Sequence, residues 1–184
     1  MINFLTLIMI DLVAGFGLLA YFLAIGLDTE RGKGLAAAFA GVGLLNLVLG
    51  LAITLTWPLP GSYNIAFGEP AAMFGIVFLF AGVALARDWD LYGIALLGFF
   101  FGLYVLITAW GIYSLGMTRT PLMSTINYGL AGLSAVLAPL AWKKQANKGI
   151  LKAGVVLTAI TALSWFVTFA GTLLGHLQAN LPAG

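Results

Sequence analysis

Cysteine is absent from the 184 residues, and histidine occurs once, as His176. Without thiols the chain has no disulfide, no thiolate metal site, no iron–sulfur cluster and no covalently attached haem. A haem held between two imidazoles cannot be built within one chain. The six carboxylates lie mostly in separate loops, so neither a metal nor any other cofactor is expected. Charge is scarce too: 8% of the residues are charged, where a soluble domain carries about 25%. Glycine-rich phosphate loops, Ser-His-Asp arrangements and paired-carboxylate motifs are also missing, and enzymatic activity is not expected.

What is present is apolar. Hydrophobic residues make up 62% of the chain and fall into blocks long enough to cross a hydrocarbon core of roughly 30 Å, which takes about 20 helical residues. The blocks predict an all-α integral membrane protein, a six-helix bundle with helices at about 2–26, 34–56, 70–86, 91–114, 121–142 and 150–175. Residues 1–184 form a single transmembrane domain whose first partner is the lipid bilayer. A membrane barrel would instead show alternating segments of about ten residues. No Lys or Arg precedes the first block, which is too long for the apolar core of a secretory signal.

The basic residues set the expected direction. Arg31, Lys33, Arg87, Lys143, Lys144, Lys148 and Lys152 lie on alternate connections, and only Arg119 lies on the others. Because Lys and Arg are retained on the cytoplasmic side, both termini are expected outside, in the plasma membrane. The net charge of +2 therefore reflects topology and implies no nucleic-acid partner. Short connections predict antiparallel neighbours. The three hairpins centred on GLDTERGKGL, ALARDWDLYG and WKKQANKGIL share an apolar-charge-glycine rhythm, which either an internal duplication or the positive-inside rule would produce. The 24 glycines include GFFFG at 98–102 together with Gly75, Gly82, Gly129 and Gly132, all on expected helix contact faces.

Polar residues are few enough to weigh singly. Glu69, in the external stretch WPLPGSYNIAFGEP, precedes Pro70; it reads as the N-cap of the third helix or its neighbour, or as part of an outer vestibule. Asp11 falls about 13 Å into the membrane, with every basic residue at or beyond a helix end. It is either a functional acid or a neutral group hydrogen-bonded between helices. Counting to the same depth elsewhere gives Asn46, Tyr104 and Thr161, which predicts a polar layer at the midplane. In the last helix Thr158, Thr161, Trp165, Thr168 and Thr172 share one face, as a helix contact or as a water-lined path. His176 follows one turn later, at the outer end. Trp57, Tyr63, Trp110 and Trp142 stand where interfacial anchors belong.

The run GEPAAMFGIVFLFAGVALARDWDLYG resembles two groups. Over most of its length the chain is similar to a prokaryotic family of small multi-pass membrane proteins of unknown function, which implies no activity. More weakly, Gly68, Pro70 and Ala71, then Asp88, Trp89 and Tyr92, resemble motifs of the proton-gated urea and amide channels, which implies six helices with both termini outside. Glu69 interrupts the first motif, and the sixth helix lacks the carboxylate of those channels. Two functions follow as expectations. The first is a channel or facilitator for a small polar solute, urea or an amide by that resemblance, assembled as a homo-oligomer. The second is a non-catalytic accessory subunit of a larger membrane complex, docked through glycine-rich faces.

Overall fold

The computed structural model describes residues 4–25, 27–142 and 147–181. Lys143 and Lys144 of the basic set, and the predicted starting residue Ile2, lie outside them. Among the described residues six helices are long and apolar enough to cross a membrane, and no strand is present. They are α1 (Phe4–Ala24), α2 (Ala36–Thr56), α3 (Glu69–Arg87), α4 (Tyr92–Ser114), α5 (Pro121–Ala141) and α6 (Lys148–Ala179). In lipid no water satisfies backbone amides, so uninterrupted helices are the form that such apolar runs take.

Two boundaries differ materially from the sequence reading. The third crossing winds as helix from Asn64, where a π-helical turn over Asn64–Gly68 runs directly into α3. Pro70 has no N–H to give to the preceding turn, and the wider turn accommodates it without ending the helix. The last helix has 32 residues, which at 1.5 Å each spans about 48 Å and overshoots a core of roughly 30 Å unless tilted.

Consecutive helices pack side by side and α6 returns to α1, closing a ring. The six interfaces alternate in character. The closest are α2 with α3, α4 with α5, and α6 with α1. At α2–α3 a Cβ on Gly43 would strike the backbone of Leu79, and one on Gly75 the backbone of Leu47. At α4–α5 a Cβ on Gly102 would come within 2.8 Å of the Gly132 carbonyl. Small residues are used because, between helices in lipid, close van der Waals contact takes over the role that hydrophobic burial has in water. Gly129 and Gly98, also expected at contacts, meet little: nothing lies within 4 Å at the first, and only Val77 at 3.9 Å at the second.

The bundle axis is filled in the half toward the basic loops. Phe16 meets Phe74 edge-on at 5.6 Å and Phe78 at 6.0 Å, and Phe78 stacks with Phe39 at 6.1 Å. Trp142, half-buried at the end of α5, packs against Phe22 at 6.4 Å, whereas Trp110 is exposed. The aromatic cluster leaves an apolar void of about 70 Å³. Beyond it, Lys33 ties the first two basic connections together, at 2.9 Å from Glu30 and 3.0 Å from Asp88.

Candidate functional site

The three looser interfaces of the ring, α1–α2, α3–α4 and α5–α6, each carry a polar cross-link. Asp11 on α1 and Asn46 on α2 are both buried, and the Asn46 amide nitrogen donates to the Asp11 carboxylate. Asn46 Oδ1 is buried without a partner, a state that costs roughly 1–3 kcal/mol. No cation pairs with Asp11 among the described residues. Tyr104 on α4 donates its hydroxyl to Glu69, also across helices.

Glu69 is thus not itself the N-cap but the first residue of α3, next to Gly68. Its own backbone is helical (φ −65°, ψ −47°), and the free helix end lies further back, so its carboxylate is available to reach α4. Asn64 organises that end. Fully buried, it accepts from the Leu59 amide at 2.8 Å and donates to the Leu59 and Gly61 carbonyls at 2.5 and 2.8 Å. An asparagine directly after turn residues is the signal that would have identified it.

The α5–α6 interface carries the longest polar series. The threonine face of α6 points at α5: Thr161 and Ser134 are 3.2 Å apart, and Asn127 donates to the Thr168 hydroxyl at 2.7 Å. Ser164 donates to Asn127 Oδ1 at 2.5 Å. Thr158, Thr161 and Thr168 also return their hydroxyls to carbonyls one turn earlier, at 2.8, 2.8 and 3.2 Å. Asn127, Ser134 and Ser164 complete the set, although they carry no periodic signal in the sequence.

Two cavities flank this seam. One, of about 330 Å³, opens at the end of the bundle that carries both termini, and its wall includes Leu5, Leu59, Arg119, Asn127, Trp165, Thr168 and Thr172. The other, of about 390 Å³, lies toward the basic loops and is lined by Leu23, Ser134, Trp142, Gly154 and Thr158 among others. Between them stands the Ser134–Thr161 contact, with Thr161 fully buried. Asp11, Asn46, Glu69 and Tyr104 line neither cavity. The expected single midplane layer is therefore divided. One part is two isolated pairs within helix contacts, and the other is a set of hydroxyl and amide groups along α5–α6, between two cavities.

Trp165 borders the first cavity, and its indole N–H is buried with no acceptor. His176 is exposed and, with Arg119, lines a broad groove outside the cavity mouth. Among the described residues no group of three or more His, Asp or Glu is placed to hold a metal ion.

The chain belongs to the family described as "Protein of unknown function (DUF981)", which matches residues 1–179. No curated protein and no solved structure matches it. The resemblance of Gly68–Ala71 and Asp88–Tyr92 to urea and amide channels finds no support in these comparisons.

Proposed function

We propose that this protein is a channel or facilitator for a small polar solute, with its route along the α5–α6 seam. The observation that carries the reading is the pair of cavities, about 330 and 390 Å³, on opposite sides of the Ser134–Thr161 contact. A solute that leaves water needs hydrogen-bonding groups at the narrow point, and hydroxyls that already bond within their own helix can share them at little cost. In the present conformation the seam is shut where those two side chains meet. The seven-to-one distribution of Lys and Arg supports a plasma-membrane orientation with both termini extracytoplasmic, and a homo-oligomer of such bundles accords with a seam that lies within one chain.

The test is osmotic equilibration of proteoliposomes with urea, acetamide, glycerol and acetate. At least one solute is expected to equilibrate faster than in empty liposomes, and Ser134→Leu or Thr161→Leu to remove the gain while the protein still elutes as a folded species. Unchanged rates for every solute defeat the transport reading.

One feature favours the accessory-subunit alternative. The last turns of α6 leave Leu174 and Leu177 exposed, a surface that another chain could cover. Gentle extraction followed by native mass measurement decides between the two: unlike chains in fixed ratio support the subunit, and a homo-oligomer alone supports the facilitator.

A further inference from the structure

The lining of the cavity at the terminus end has an aromatic part and a polar part. Four rings form the first as a continuous series. Tyr63 stacks on Phe67 at 5.6 Å, Phe67 meets Tyr128 at 6.3 Å, and Tyr128 meets Trp165 at 5.4 Å. The polar part includes Asn127, Thr168 and Arg119, with the hydroxyls of Thr118, Thr120, Ser124 and Thr172.

The polar groups here are unbalanced in sign. Arg119 is the one charged residue in the wall, and among the described residues it has no ion pair. Trp165, 5% exposed, has an indole N–H with no acceptor. Asn127 spends one amide hydrogen on Thr168, and an amide nitrogen carries two. Such a site holds a positive charge and unspent N–H donors with no negative charge to balance them, and a ligand that complements it must bring an anionic acceptor. The aromatic wall adds that the rest of the ligand is apolar. Space is sufficient: a void of about 150 Å³ holds benzene, and this cavity measures about 330 Å³.

We propose that the cavity binds a small monocarboxylate, with Arg119 supplying the countercharge, Asn127 and Trp165 the unspent N–H donors, and the four rings the seat for the apolar body. An arginine at the mouth also raises the local concentration of anions and draws them in. The proposal deepens the facilitator reading by giving the solute class. Its test measures binding and not flux, so a failure here and a failure of transport are told apart.

The experiment is calorimetric titration of the protein in nanodiscs of zwitterionic lipid with benzoate, its neutral isostere benzamide, and the cation benzylamine. Benzoate is expected to bind at least about tenfold more tightly than benzamide, and benzylamine not to bind, in line with the cost of losing one charge-assisted hydrogen bond. Arg119→Gln should remove the preference for benzoate over benzamide. Trp165→Phe, which keeps a ring and loses the N–H, should weaken benzoate several-fold. Equal binding of benzoate and benzamide overturns the proposal, as does a wild-type protein that binds neither, or an Arg119→Gln variant that keeps the preference. Arg119 is exposed, so its variant keeps the test valid even if Trp165→Phe fails to fold.

Discussion

Asn46 donates to the carboxylate of Asp11 across 35 residues of sequence, and Tyr104 donates to Glu69 across the same interval one hairpin later. In the third hairpin Ser164 donates to Asn127 across 37 residues. Every hairpin that turns at a basic connection therefore carries its polar link in its own helix pair. The glycine-mediated contacts fall between successive hairpins. Hairpin and interface thus alternate around the ring with a three-fold rhythm, which gives structural substance to the apolar-charge-glycine pattern shared by the three inner loops.

The Asp11–Asn46 link yields a non-additive pair. Asn46→Leu removes the one donor that the buried Asp11 carboxyl has among the described residues and is expected to destabilise by about 1–3 kcal/mol. Asp11→Leu combined with Asn46→Leu should cost less than the sum of the single changes, because no polar group is then stranded. Unfolding of the reconstituted protein in increasing dodecyl sulfate measures both; strict additivity contradicts the link.

At the α2–α3 contact Gly43→Ala forces a methyl group into the backbone of Leu79, and backbone has no rotamer with which to yield. The expected loss is about 1–3 kcal/mol or more. Gly129→Ala meets nothing within 4 Å and should be neutral or stabilise by up to about 1 kcal/mol. Equal thermal melting shifts for the two variants would show that α2 and α3 are not in backbone contact.

Asn64 closes the 57–63 loop through three hydrogen bonds from a fully buried position. Asn64→Ala leaves the Leu59 amide without its acceptor and is expected to cost roughly 1–3 kcal/mol. Limited proteolysis should then cut within residues 57–63, where the parent protein resists; an unchanged digestion pattern argues against this role.

A chain with no cysteine suits topology mapping without background labelling. Single Cys substitutions at Ser62 and Arg119 should react with a membrane-impermeant maleimide in intact cells, and those at Arg31 and Arg87 only after permeabilisation. The reverse pattern inverts the orientation inferred from the basic loops.

Glu69 shows where reading along the chain falls short. The residue before a proline is normally pushed out of helical geometry, yet a π-turn begun at Asn64 carries the helix through Pro70. Whether a proline starts a helix or is absorbed into one depends on what the preceding turn is bonded to, and here that is a loop held by a buried asparagine. The threonine face of α6 was legible because helical period alone puts those residues in register. Asn127 and Ser164 are single polar residues without a period, and only their partner distinguishes them from lipid-facing ones.

The number of long apolar helices, their approximate limits, and the even helix count that brings the start of α1 and the end of α6 to one side of the bundle were all determined by the sequence itself. Lipid is a solvent that penalises every unbonded amide and every charge, so composition and run length suffice for them. Which polar groups meet, where small residues let backbones touch, and where two cavities approach each other were decided by tertiary structure. Those outcomes depend on rotation of each helix about its axis, and only the simultaneous packing of all six selects it.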